Sequence, residues 1–243
     1  MKLHKAAKSL AVGITATLAT VAMLSASAQA AILNGNVLLS DLLAGNSYQL
    51  GDKLFDNFRD FSTVNFGNAT GPQSNQIAVF GEIVDSAYNL VFQSPFWTVS
   101  ENQAIDTTFK YDVTVLDPKQ WITKVDLELD IYGVSHVGNP FITIVDTVDL
   151  LDPGTGSVNL LATSVSPFDS VIEDLNPHQK KISVGKDIAV VANGGFASIS
   201  VIKQSVHQTR VPESSTLLGL FALAGIGLTV TRKRLKTTVI SAE

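Results

Sequence analysis

Along the middle of this chain apolar and polar side chains alternate with a period of two. Between positions 121 and 131, Val125, Leu127, Leu129 and Ile131 alternate with Asp126, Glu128 and Asp130. On an extended strand that spacing puts the aliphatics on one face and three carboxylates on the other. Thr107 to Val115 repeats the pattern, with Phe109, Tyr111, Val113 and Val115 together. Further strands are expected at 76–84, 88–93, 141–150, 157–164, 180–184, 187–191 and 197–206, with 53–58 as a short edge strand. Turn chemistry separates them. Asp152-Pro153-Gly154-Thr155-Gly156 reads as a hairpin loop, and Asn193-Gly194-Gly195 as another, joining 188–192 to 197–201. Val137-Gly138-Asn139-Pro140 and Leu116-Asp117-Pro118 read as further turns. One short helix fits 38–44, with Ser40 or Asp41 as its cap. Short strands separated by frequent turns predict an all-β fold, an antiparallel β-sandwich of the jelly-roll or Greek-key kind.

Both ends break this pattern. Lys2, His4, Lys5 and Lys8 precede an uncharged stretch over 10–24, and Ala28-Gln29-Ala30 follows. That is the layout of a secretory signal peptide over 1–30, cut before Ala31. At the other end Val211-Pro212-Glu213-Ser214-Ser215-Thr216 precedes the uncharged run 217–230, and then come Arg232, Lys233, Arg234 and Lys236. As a helix the run spans roughly 21 Å, short of the ~30 Å hydrocarbon core of a bilayer. Thr231 and the preceding Ser-Ser-Thr extend it, and the basic side chains can snorkel to the headgroups. The reading is a single transmembrane helix over 217–231. The basic cluster and residues 237–243 would be cytoplasmic, and the 31–210 body would lie outside.

The C-terminal order of motif, apolar segment and basic stop resembles the PEP-CTERM sorting signal of bacterial surface proteins. Val211, Pro212, Glu213 and Ser215 or Thr216 match that pattern, with Ser214 where a second proline is usual. The segment Gly51 to Phe58, with Trp97 further on, is similar to the opening of a group of PEP-CTERM proteins with a β-sandwich body. The resemblance implies processing by an exosortase, a membrane protease-transpeptidase, and delivery to the envelope or extracellular matrix of a Gram-negative bacterium.

Removing the targeting ends changes the charge picture. The whole chain carries a formal charge of −5, but between Ala31 and Arg210 there are 10 Lys and Arg against 20 Asp and Glu. A body that acidic repels nucleic acid and anionic lipid. With no cysteine anywhere, an exported domain has no disulfide framework and neither thiol catalysis nor cysteine-bound zinc. It must rest on its hydrophobic core or on bound metal.

Candidate chemistry is sparse. Asp126, Glu128 and Asp130 could be a calcium or catalytic cluster, but strict alternation is what a solvated outer strand face produces. Asp146, Asp149 and Asp152 run into the Pro-Gly turn and match no calcium-loop spacing, so they read as turn capping and surface charge. His136, His178 and His207 lack metal-ligand spacing. No nucleophile elbow, P-loop or dinucleotide fingerprint occurs. Tyr88, Phe92, Phe96 and Trp97 read as core, the alternative being a sugar-stacking platform. The expectation is a non-enzymatic exported protein without metal or cofactor. Its role would be structural or adhesive in the exopolysaccharide layer, and its partners an exosortase-type enzyme, the membrane and extracellular polysaccharide. The alternative is a carbohydrate-binding module or polysaccharide-active enzyme, with or without calcium dependence.

Overall fold

The computed structural model describes residues 31–165 and 170–210. The signal-peptide residues Ala28 and Ala30, the motif over 211–216 and the basic cluster at 232–236 lie outside the described residues. Among the described residues no helix is long and apolar enough to cross a membrane.

The chain runs β1 (Ile32–Leu33), β2 (Val37–Leu38), α1 (Leu39–Leu43), β3 (Ser47–Leu50), β4 (Lys53–Phe66), β5 (Ala78–Val84), β6 (Ala87–Gln93), β7 (Thr98–Val115), β8 (Gln120–Val134), β9 (Phe141–Asp152), β10 (Ser157–Thr163), β11 (Ser170–Gln179) and β12 (Lys181–Arg210). Every pairing is antiparallel except β1 with β3.

Two layers emerge from the pairing of β12. Its first part, from Lys181 to Val191, lies between β7 and β9, in the order β1-β3-β4-β7-β12-β9-β10. Its last part, from Val201 to His207, lies between β6 and β8, in the order β2-β5-β6-β12-β8-β11. The layers face each other. Phe92 of β6 packs on Phe109 of β7 with ring centroids 5.0 Å apart, and Lys186 reaches across to Gln204 on the other part of its own strand. The core between them is aliphatic and aromatic and includes Phe55, Leu90, Phe109, Val113, Leu127, Ile144, Ile188 and Ile202. Each such side chain taken fully out of water contributes about 1.5–3 kcal/mol.

The alternation of β8 holds as the sequence implies as far as Leu129; Ile131, expected on the apolar face, is exposed, beside the register shifts of the β8–β12 pairing at Val201. Val125, Leu127 and Leu129 are buried, while Glu128 and Asp130 are exposed. On the polar face Asp126 lies 2.8 Å from the His207 ring nitrogen and Asp130 lies 2.9 Å from the Lys203 ammonium, both on the neighbouring β12.

Four expectations are corrected. Residues 180–184, 187–191 and 197–206 are not separate strands, and Asn193-Gly194-Gly195 is not a hairpin loop. The chain passes through it as one strand that changes layer, with a register shift between Asn193 and Gly195. Glycine is needed there because the β8–β9 connection presses on it. A Cβ on Gly195 would sit 2.1 Å from the Val137 carbonyl oxygen. The 53–58 segment is not a short edge. It is the start of β4, which lies between β3 and β7 and has register shifts where Asn57 and Asp60 take positive φ. The helix is α1, but Leu38 precedes it, and the Asp41 carboxylate reaches back to accept the Leu38 N–H at 3.2 Å; Ser40 is not the cap. Finally, Asp146 is not surface charge. It occupies the inward register of β9 between Ile144 and Val148, and it is fully buried.

Candidate functional site: the outer face of the first layer

The outward positions of four adjacent strands form a depression of about 500 Å³. Its centre is Gly185 on β12, which lies opposite Lys110 of β7 on one side and Thr147 of β9 on the other. With no side chain on that central residue the floor is open. The walls carry Thr108 and Lys110 from β7, Asp187 from β12, Val145, Thr147 and Asp149 from β9, and Asp60 from β4. The β4 bulges bring their side chains to this face. Asp60, at φ 57°, lies 3.6 Å from the Lys110 ammonium. Asn57, at φ 53°, donates to Asp112 at 3.1 Å.

Two carboxylates on this face have opposite environments. Asp112 accepts from Arg59 at 3.0 Å and lies 3.1 Å from Lys181. Burial pushes its carboxyl up, but hydrogen bonds from Asn57, Ser183, Lys181 and Arg59 outweigh that and hold it below the usual carboxylate range. Asp187, on the depression, is pushed up to about 6, by burial first and then by the hydrogen bond and negative charge of Asp106. The Asp106 Oδ1 is shut off from solvent without a hydrogen-bond partner. The depression therefore presents carboxylate and hydroxyl acceptors together with an ammonium donor, and one carboxyl that titrates near neutrality.

Beneath the floor the inward side chains of the same strands hold a buried ion pair. Lys186 and Asp146 stand opposite each other in the β12–β9 register, and both are 0% exposed. The Lys186 ammonium donates to both carboxylate oxygens at 2.7 Å and to Gln204 Oε1 at 3.1 Å, while Gln204 Nε2 donates to the Asp126 carbonyl at 2.7 Å. Burial pushes Asp146 up and Lys186 down, and each opposes the other's shift. A second inward lysine, Lys53, lies at the margin of the core. It bonds Asp52 at 2.5 Å and Gln208, with the Tyr88 ring 4.1 Å away.

The residues singled out from the sequence are dispersed. Trp97 is fully buried and donates to Thr107 at 3.1 Å, and Phe92 is also core, so neither presents a stacking face; Phe96 is exposed. His136 lies between β8 and β9, His178 on β11 and His207 on β12 against Asp126. Ala31, the expected first residue of the mature chain, donates its N–H to Asn46 at 3.1 Å. No cluster of three or more metal-type ligands occurs among the described residues. The depression itself escaped the sequence reading, because it gathers single residues from four strands around a glycine.

No family model and no curated protein matches this chain. Among solved structures it is similar to a carbohydrate-binding module, TmCBM61, in complex with β-1,4-galactotriose. The identity is 10% over 62% of this chain and 88% of that one, with a TM-score of 0.28. A structure of carbohydrate-binding modules from the β-sandwich superfamily gives 8% identity over 67% of this chain and 58% of that one, with a TM-score of 0.26. The enzymatically active domain of bacteriophage CBA120 tailspike protein 4 gives 12% identity over 59% and 19%, with a TM-score of 0.22. These overlays are partial, and the functional case rests on the geometry of this chain.

Proposed function

We propose that this chain is an exported, adhesive β-sandwich that acts in the extracellular polymer layer by binding polysaccharide, without catalysing its breakdown. The observation that carries this reading is the open floor at Gly185. A residue without a side chain sits at the centre of a central strand, ringed by Lys110, Thr108, Thr147, Asp149 and Asp187. A hydroxyl-rich ligand needs that mixture of acceptors and donors around a shallow, rigid trough. The targeting ends complete the proposal. They fit a signal peptide cut before Ala31, a jelly-roll or Greek-key body, and a sorting signal with a transmembrane segment processed by an exosortase near Pro212 to Thr216.

Gly185 also supplies the test. A Cβ there would meet nothing closer than the flexible Lys110 stem at 3.6 Å, and the strand backbone is not left-handed, so Gly185→Val fills the trough. Affinity electrophoresis of the full chain through gels cast with soluble polysaccharides should show clear retardation of the wild type and weaker retardation of Gly185→Val, with the two proteins unfolding at similar temperatures. Equal mobility of the two on every polysaccharide sinks the trough reading. Release of new reducing ends by the wild type, lost in Asp187→Asn, would replace binding by hydrolysis. Intact-mass analysis of secreted protein tests the targeting half: a released species that keeps residues 217–230 counts against exosortase processing.

A further inference from the structure

A second hollow, of about 300 Å³, lies where β8 begins, against the β9–β10 turn and the last residues of β11. It is lined by Trp121, Pro153, Asn176, Pro177 and His178. Trp121 is only half-buried, unlike Trp97 in the core. The floor is therefore one aromatic ring and two saturated rings, with an amide and an imidazole beside them.

Two consecutive residues hold this hollow rigid. Gln179 is fully buried, and its side chain ties the Pro153 turn to the Pro177 end of β11. Its amide nitrogen donates to the Pro153 carbonyl at 2.8 Å and to the Pro177 carbonyl at 2.7 Å, while its oxygen accepts the Asp152 N–H at 3.1 Å. Lys180 fixes the other wall. Its ammonium donates to the carbonyls of Asp117, Pro118 and Gln120, and it stands 4.8 Å from the centre of the Trp121 ring. Side chains of this kind usually cost ordering entropy when a ligand arrives. Here the walls are already fixed, which is what lets a small contact area bind.

From this preformed hollow of Trp121, Pro153 and Pro177, edged by Asn176 and His178, we infer a carbohydrate subsite separate from the outer-face trough, one that stacks a single pyranose ring. A pyranose has an apolar face of C–H groups and a perimeter of hydroxyls. The apolar floor meets the first, and the side chains of Asn176 and His178 can bond the second. A carboxylated sugar is disfavoured by the net acidity of the body, so the ligand is a neutral hexose. The inference shares with the outer-face reading only its class of ligand. The two sites use different residues and different forces.

The chain has two tryptophans, and only Trp121 is accessible, so fluorescence isolates the hollow. The full chain is titrated with di- to tetrasaccharides of glucose, galactose and mannose. The expected result is a saturable blue shift and protection from acrylamide quenching with at least one series. By calorimetry Trp121→Ala should weaken that sugar roughly tenfold or more, because truncating a stacked aromatic anchor removes most of a small interface's affinity. Trp121→Phe should recover most of the affinity, and Gly185→Val, which alters only the outer-face trough, should keep the Trp121 blue shift and quenching protection. If no sugar perturbs Trp121, or if Trp121→Ala binds as the wild type does, the subsite is overturned. A sugar response lost in Gly185→Val but kept in Trp121→Ala overturns it as well, while leaving the trough standing. Protection by a proline-rich peptide and by no sugar overturns it in favour of a peptide groove.

Discussion

At the scale of single residues, the most consequential pair is Lys186 and Asp146, a fully buried ion pair between the two layers of the sandwich, bonded also to Gln204. Taking both charges out of water costs more than a surface pair returns, and removing one partner strands the other. Lys186→Met should therefore cost about 3–5 kcal/mol in urea unfolding. The double variant Lys186→Met with Asp146→Leu should recover most of that loss, because it buries no uncompensated carboxylate. Asp187 makes the opposite kind of prediction, one of pH. Its folded carboxyl is raised from 3.8 to about 6, so the folded state holds the proton more tightly than the unfolded chain. The stabilisation is fully present below the unfolded value and is lost as pH rises through about 6. Measured by differential scanning fluorimetry, the melting temperature of the wild type should fall relative to Asp187→Asn between pH 4.5 and 7.5. Asp112, held low by hydrogen bonds from Asn57, Ser183, Lys181 and Arg59, pulls the other way in both proteins and cancels in that comparison. A difference between the two proteins that does not change with pH would remove the Asp106–Asp187 coupling.

At the scale of elements, β8 is the strand whose two faces can be told apart by mutation. Leu127 is fully buried and Glu128 exposed. Leu127→Asp places an unpaired charge in the core and should cost several kcal/mol or abolish folding. Glu128→Ser should change stability by less than about 0.5 kcal/mol in the same thermal unfolding assay. Equal small effects would contradict the strand. That contrast was legible in the sequence, as were β7 and β9, because strict alternation survives where a strand keeps its register. It was lost in β4, where the bulges at Asn57 and Asp60 shift the phase, and in β11, where only Leu175 and Gln179 are fully buried. It misled at β12, where an Asn-Gly-Gly sequence carries the chemistry of a tight turn but serves a close approach to Gly138 and Val137. The inward register of Asp146 could have been read from Ile142, Ile144, Val148 and Leu150 around it; a polar residue on an apolar stripe was the signal. The two candidate sites had no such signal. Thr147 and Gly185, or Pro153 and Pro177, are brought together only by pairing between distant strands.

At the scale of the whole molecule, one strand belongs to both layers. From Lys181 to Arg210, β12 is flanked in turn by β7 and β9, then by β6 and β8. In the proposed role, with polymer bound by the body and the chain held on its C-terminal side, the pull would enter at Arg210, the last residue of β12. Antiparallel hydrogen bonds lie across the strand direction, so drawing β12 along its own axis loads them side by side in shear instead of unzipping them one at a time. Forced unfolding is governed by the barrier on that route and not by equilibrium stability. Stretched between Arg210 and a point on β7, single molecules should therefore resist with one high-force rupture. Pulled from the edge strand β10 instead, they should yield in smaller steps. A low-force, gradual release from Arg210 would mean that the shared strand bears no mechanical role.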